Sequence, residues 1–96
     1  MNVTVLRIRD MNAPEAKTTA ALRAYADVKI GPIEIYRIPV IKPAGRSPYV
    51  LPPQIEYFDG KDVQCDPFIK WPEEWSKAIL AAVWPAYEAQ RKGANT

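Results

Sequence analysis

Histidine is absent from this sequence of 96 residues, and cysteine occurs only once, at Cys65. Without histidine, the chain lacks the side chain that proteins use most often as a general base and as a metal ligand. A single cysteine cannot form an internal disulfide, which favours a reducing, cytoplasmic setting. No hydroxyl or thiol has a candidate base beside it, so we interpret Cys65 as a small buried or edge residue. We therefore expect no enzymatic activity and no small-molecule substrate or cofactor.

Long apolar runs and a strong net charge are also missing. No apolar run approaches the roughly 20 residues needed to cross a bilayer. Met1 leads directly into a strand pattern, so we expect no signal peptide and no membrane association. Thirteen basic and eleven acidic residues give a net charge of +2, which is too mild to identify a nucleic-acid partner. The length predicts one domain over residues 1–96.

Strict alternation of apolar and polar residues predicts the central strand, L-R-A-Y-A-D-V-K-I at Leu22 to Ile30. Successive side chains of a strand point to opposite faces, so one parity is expected to be buried and the other exposed. The buried parity is Leu22, Ala24, Ala26, Val28 and Ile30, and the exposed parity is Arg23, Tyr25, Asp27 and Lys29. We expect the buried parity to face the apolar stripe of a helix.

The sequence after this strand predicts a hairpin. Gly31-Pro32 supplies the reversal, and Ile33 to Ile41 returns as the partner strand. The apolar parity changes near Ile35-Tyr36, which predicts either a β-bulge or a strand that is covered on both faces. Pro39 lacks an N–H group and is expected at an edge or a bulge.

Strand patterns also occur on both sides of this hairpin. Val3 to Arg9 predicts a first strand, with Thr4, Leu6 and Ile8 on one face, followed by a loop over residues 10–19. A fourth strand is predicted to start at Tyr49, to be interrupted by Pro52-Pro53 and to resume over Ile55 to Phe58. A tight reversal at 58–61 then leads into 62–65.

Helical periodicity begins after Trp71-Pro72-Glu73-Glu74, where proline and two acids suit a helix start. A stripe at helical spacing is formed by Trp75, Ala78, Ile79, Ala82, Val83 and Ala86. Gly93 is a suitable stop, and Pro85 predicts a kink or a break because it frees the carbonyl of Ala81. The fold class predicted is α+β: a small antiparallel sheet of four to five strands with a C-terminal helix packed on it.

Basic and aromatic residues alternate on the predicted exposed face. Arginine and lysine can bind phosphates there while aromatic rings stack on bases. The alternative is an ordinary solvated face, on which Arg23 and Lys29 are balanced by Asp27 and Glu34. Another cluster, Asp59, Asp62 and Asp66, matches no metal-binding loop, and turn and capping roles explain all three. We expect no metal.

Three tryptophans add more apolar area than one small sheet face needs to cover. The sheet covers Trp71, Trp75 and Trp84, or some of them complete a subunit interface, in which tryptophan is enriched. We favour an interface role for Trp84, which lies on the flank of the stripe.

The succession of these motifs resembles the stage V sporulation protein G (SpoVG) family of bacteria. The matching pieces are V-T-V-L-R-I-R, L-R-A-Y-A-D-V-K-I, I-E-I-Y-R-I-P-V-I, a loop with Gly45, Y-V-L-P-P, the Asp59-Gly60 turn and A-V-W-P-A-Y. Together they cover nearly the whole chain. The resemblance implies a cytoplasmic homodimer that binds DNA and RNA without catalysis. Family members typically carry a basic segment where this chain has Pro53, Gln54, Ile55 and Glu56, and their helix has no break at the position of Pro85.

Two hypotheses of function remain. The first is a SpoVG-like regulator that binds DNA or RNA as a homodimer. Its nucleic-acid contacts would be Arg7, Arg9, Arg23, Tyr25, Lys29, Arg37, Arg46, Lys61 and Lys70, and its dimer contacts Ile55, Tyr57 and Trp84. The second is a protein-interaction or assembly module with the same fold, which the missing basic segment favours.

Overall fold

The chain forms an antiparallel sheet with a helix packed on one face and a separate hairpin beside it. The computed structural model describes residues 1–11, 21–67 and 69–94. Within these residues the elements are β1 (Val3–Asp10), β2 (Leu22–Ile30), β3 (Ile33–Ile41), β4 (Tyr49–Val50), β5 (Gln54–Asp59), β6 (Asp62–Pro67) and α1 (Glu73–Ala94). The first sheet has the order β1-β2-β3-β4, and β5 pairs only with β6. The predicted α+β class is confirmed, whereas the loop predicted at residues 10–19 lies almost entirely outside the described residues.

The hairpin of β2 and β3 is the centre of the larger sheet. Its turn is at Gly31-Pro32, as predicted, and Gly31 has a φ of 58°, which glycine adopts without steric cost. Pro39 is buried in β3, where its carbonyl accepts a 3.2 Å hydrogen bond from the backbone N–H of Leu51, just after β4. Its missing N–H is tolerated because β4 pairs with β3 only at Val40 and Ile41.

Two bulges lie on either side of Asp27. In β1, Leu6 is the extra residue before Arg7 pairs with Asp27. In β3, Tyr36 and Arg37 together lie opposite Asp27, which confirms the predicted bulge one residue further along. Arg37 has a φ of 59°, a left-handed conformation that is uncommon outside glycine. The Asp27 carboxylate accepts a 3.0 Å hydrogen bond from the backbone N–H of Arg37, so it replaces a ladder partner at the bulge.

These bulges change which residues of the neighbouring strands face the helix. Val3 and Val5 pack against the core, but after the bulge the next residue to do so is Ile8. The predicted face of Thr4, Leu6 and Ile8 is therefore wrong, because one extra residue reverses the parity. The same reversal places Ile35, then Ile38 and Val40, in the core.

A third bulge lies at Arg23 in β2, between the Leu22–Ile41 and Ala24–Val40 pairs. Beyond this bulge, the predicted buried residues Ala24, Ala26, Val28 and Ile30 are in fact buried. Leu22 lies on the open face of the sheet, opposite the helix, because the bulge reverses the parity at the start of the strand. Its predicted place on the buried face is therefore wrong.

The helix covers the other face of the sheet with the predicted stripe. Ile79 and Val83 of this stripe are fully buried, and Tyr87 of the same helix is also buried. The backbone N–H of Trp75 donates to the carbonyl of Pro72 at 2.9 Å, so the helix begins where predicted. It continues without a break through Pro85 and past Gly93 to Ala94. Of the predicted kink or break at Pro85, the break does not occur, and the helix ends one residue beyond the predicted stop at Gly93. No helix among the described residues is long and apolar enough to cross a membrane.

The sequence had indicated that the strand starting at Tyr49 resumes over Ile55 to Phe58. Instead, β5 pairs with β6 in a second sheet that is separate from β4. Its turn contains Gly60, which has a φ of 68°. Every residue of β6 is exposed, and Phe58 in β5 is 79% exposed. A hairpin of two strands is only marginally stable by itself, and this one leaves apolar side chains exposed to solvent.

Candidate functional site

The bulge at Arg23 brings its side chain to the helix side of the sheet. There it lines a cleft of about 330 Å³ between the start of β2 and the last turns of α1. The lining residues are Arg23, Lys42, Trp84, Tyr87, Glu88, Arg91 and Lys92. The prediction that Arg23 lies beside Tyr25 on the exposed face is wrong, since the extra residue of the bulge reverses the face to which Arg23 points.

An aromatic pair forms the wall of this cleft. The rings of Trp84 and Tyr87 are 5.1 Å apart and tilted by 33°. Arg91 donates from Nη1 to the Tyr87 hydroxyl at 2.8 Å, and its guanidinium carbon lies 5.7 Å from the ring centre. The Nε of Arg91 is also 3.9 Å from a carboxylate oxygen of Asp10. These contacts hold one cation of the cleft in a fixed position.

The cleft is mainly positive. Four of its residues are cations and one, Glu88, is an acid. The cations come from three segments: Arg23 from β2, Lys42 from the loop after β3, and Arg91 and Lys92 from the helix. Such a concentration of positive charge beside an aromatic wall suits an anion that carries a planar group.

The open face of the sheet carries a second cluster, around Asp27. Asp27 is only 7% exposed and accepts a 3.4 Å hydrogen bond from Nη2 of Arg9. Arg37 turns its guanidinium over the Tyr25 ring, 5.1 Å from the ring centre. This is a cation–π contact, and Arg37 is exposed.

A groove of about 510 Å³ separates this cluster from the β5–β6 hairpin. Its sheet side contains Tyr25, Arg37 and apolar side chains, and its hairpin side contains Gln54, Glu56 and Cys65 beside the apolar Ile55. The lining residues are Leu22, Tyr25, Arg37, Pro39, Ile41, Leu51, Gln54, Ile55, Glu56 and Cys65. A groove of this volume is in the range of small-ligand pockets.

The cleft and the groove lie on opposite faces of the sheet at the same end. Leu22 and Ile41 form a strand pair and line the groove. The next residues along the chain, Arg23 and Lys42, line the cleft. A ligand that follows this end of the sheet can therefore contact both depressions.

The structure does not gather all the predicted nucleic-acid contacts. Arg23 lies in the cleft, Tyr25 and Arg37 in the groove, and Arg9 beside Asp27. The other predicted cations are exposed and lie outside both depressions: Arg7, Lys29, Arg46, Lys61 and Lys70. Lys29 lies directly opposite Glu34 in the ladder, as the solvated-face alternative expects.

Sequence reasoning missed Lys42, Arg91, Lys92, Gln54 and Glu56. One available signal was the spacing on the helix, where Tyr87 and Arg91 are four residues apart and therefore adjacent on its surface. Lys42 carried no local signal, because only the folded sheet brings it to the helix.

The proposed dimer contacts divide between two regions. Ile55 and Tyr57 are exposed on the hairpin, whereas Trp84 is half-buried in the cleft wall. The Tyr57 hydroxyl donates to Asp66 at 2.6 Å, and this hydrogen bond to a carboxylate raises the pKa of Tyr57. The pKa of Tyr36 is raised in the same way by its hydrogen bond with Glu34, so both hydroxyls stay protonated at neutral pH.

Among the described residues, no group of three metal-ligating side chains comes close enough to hold a metal ion. Comparison of the chain with models of protein families, with curated proteins and with solved structures finds no match.

Proposed function

We propose that this chain is a non-catalytic regulatory protein that binds DNA or RNA as a homodimer, as its resemblance to the SpoVG family implies. The observation that carries the proposal is the cleft, which four cations line together with the half-buried ring of Trp84. Phosphates need cations, and unpaired bases need a ring on which to stack. The cleft offers both within one depression.

The segment from Pro53 to Glu56 lacks the basic residues that are typical of the family, but the cleft provides cations at another place. Lys42, Arg91 and Lys92 supply positive charge from other parts of the chain. A net charge of +2 per chain is therefore compatible with binding, because the local concentration of cations decides the field that a phosphate meets.

A homodimer is part of this proposal, and one observation supports it. The β5–β6 hairpin exposes Ile55, Tyr57, Phe58 and Val63. Exposed apolar residues on a free two-stranded sheet favour pairing with another chain. The same observation favours the second hypothesis, a protein-interaction module that does not bind nucleic acid.

Salt dependence of binding distinguishes the two hypotheses. Fluorescence anisotropy with labelled single-stranded and duplex probes should show binding at about 50 mM salt that weakens steeply as salt rises, because each neutralised phosphate releases counterions. Replacing Lys92 by Ala should weaken binding to all probes and lower the logarithmic salt slope by about 0.7 on single strands. Arg23→Ala should have a similar effect.

Lys77→Ala is the matched control, since Lys77 is an exposed lysine on the same helix but outside the cleft. It should leave the salt slope unchanged. If no probe binds the wild-type protein even at low salt, the nucleic-acid proposal is wrong and the interaction module is the better interpretation.

A further inference from the structure

The groove between the open sheet face and the β5–β6 hairpin has two chemically different walls. The sheet wall is apolar apart from the stacked pair of Tyr25 and Arg37. The hairpin wall contributes Gln54, Glu56 and Cys65 beside the apolar Ile55. A ligand that fits between them needs a flat face on one side and hydrogen-bonding groups at its edge.

The stacked pair is suited to a planar ring. The Arg37 guanidinium carbon lies over the ring of Tyr25, 5.1 Å from its centre, and Arg37 is exposed. Unpaired bases stack on arginine planes and on aromatic rings in single-strand recognition. The bulge fixes this arrangement, because the backbone N–H of Arg37 is held by the Asp27 carboxylate.

The hairpin wall presents hydrogen-bond acceptors. Gln54 donates from Nε2 to the carbonyl of Pro52 at 2.8 Å, which leaves its Oε1 as the free acceptor. Glu56 lines the groove, and no described residue forms a hydrogen bond or ion pair with its carboxylate. A carboxylate can accept from two neighbouring donors at once.

We propose that this groove binds an unpaired guanine base, stacked on Arg37 and held at its edge by Glu56. Guanine alone among the bases presents two adjacent donors, N1–H and the N2 amino group, to a single carboxylate. Adenine and cytosine offer one amino group beside a ring acceptor, and thymine and uracil offer one N–H between two carbonyls. Those acceptors would face the carboxylate unfavourably. The inference rests on the proposed function, because the cleft has to hold the same strand.

The position of the two depressions supports one continuous strand. Phosphates at Arg23 and Lys42 would lie one residue away from the groove residues Leu22 and Ile41. A strand whose backbone lies in the cleft can therefore turn a neighbouring base over the end of the sheet into the groove.

Base preference is tested with short labelled oligothymidylates that carry one central guanine, adenine, cytosine or hypoxanthine, at about 50 mM salt. The guanine oligonucleotide should bind about tenfold more tightly than plain oligothymidylate, as expected for one good bidentate contact. Hypoxanthine, which lacks only the N2 amino group, should lose most of this gain. Equal binding of all oligonucleotides would overturn the inference and leave the proposed function intact, whereas no binding at all would overturn both.

Glu56→Gln should bring the affinity for guanine to within about twofold of that for the other bases. The amide is uncharged, and its NH2 group cannot accept the second hydrogen bond from guanine. Removal of any acid also raises affinity for phosphates in general. Glu74→Gln, at an exposed acid outside the groove, controls for that effect and should keep the guanine preference. Loss of the preference in both variants, or in neither, would contradict the assignment of Glu56.

Alkylation of Cys65 reports whether the groove of the wild-type protein is occupied, because Cys65 is the single cysteine and lines the hairpin wall. Its alkylation by iodoacetamide should slow several-fold when the guanine oligonucleotide is bound. Plain oligothymidylate at equal saturation should protect it much less. Equal protection by the two oligonucleotides, or none by either, would place the guanine elsewhere.

Discussion

Asp27 determines the local geometry of the sheet more than any other single residue. Its carboxylate binds the backbone N–H of Arg37 in one neighbouring strand and the guanidinium of Arg9 in the other. The alternation in the sequence placed Asp27 on an exposed face, and it does point away from the helix. The bulges on both sides nevertheless enclose it, so that it is almost completely buried.

Replacing Asp27 by Ala should lower the free energy of unfolding by about 2 kcal/mol, because the Arg37 N–H is left without its acceptor in a partly buried position. Asp27→Asn keeps an oxygen acceptor and should cost less. Chemical denaturation followed by tryptophan fluorescence measures both. Glu34→Ala, at an exposed acid of β3, is the control and should change stability by less than about 0.5 kcal/mol. An equal effect of Asp27→Ala and Glu34→Ala would show that the bulge does not depend on the carboxylate.

Among the elements, α1 is unusual because it contains Pro85 and still runs as one helix from Glu73 to Ala94. Pro85 is exposed, so its ring adds little to the core. Proline in a helix interior is about 3 kcal/mol less favourable than alanine. Part of this difference is offset, since proline also restricts the unfolded chain by up to about 1 kcal/mol.

Pro85→Ala should therefore stabilise the protein by about 2 kcal/mol, with a higher melting temperature in circular dichroism. Pro72→Ala is the matched control, because Pro72 precedes the first turn, where proline is well tolerated. It should give no gain. A loss of stability in Pro85→Ala would mean that the proline ring makes packing contacts that matter more than the backbone.

The elements show how far the sequence was informative. Alternation placed β2 and β3 at their observed limits, and helical spacing identified the residues of α1 that reach the core. The faces of β1 and the start of β2 were wrong, since the bulges at Leu6 and Arg23 were not recognised from the apolar pattern, unlike the bulge of β3, and each reverses the side chains next to it. Arg23 consequently lay on the opposite side of the sheet from its predicted neighbours, Tyr25 and Arg37.

For the whole molecule, the candidate site could be predicted only in part. Arg23, Tyr25 and Arg37 carried a sequence signal because they belong to regular strands. The cleft joins the start of β2, the loop after β3 and the last turns of α1. No periodicity links segments that are so far apart in the chain, so Lys42 and Lys92 become neighbours only through tertiary packing.

The exposed hairpin leads to a prediction for the whole molecule. Light scattering should give the mass of a dimer in the micromolar range, and Phe58→Ser should shift the mass towards a monomer by removing an apolar contact. Phe58 is 79% exposed in the single chain, so this change should not unfold it. Tyr36→Ser, at an exposed aromatic residue of β3 that is not part of the hairpin, should leave the dimer unchanged. A monomer mass for the wild-type protein throughout this range would remove the homodimer from the proposed function.

The bulges on either side of Asp27 also decide which changes of chain length the sheet can accept. Deletion of one residue at Tyr36-Arg37 would restore a regular strand, but it would turn Ile38 and Val40 out of the core. Deletion of Leu6 would do the same to Ile8 in β1. We therefore expect β1 and β3 to tolerate substitution of exposed residues better than a change in the number of residues in either strand.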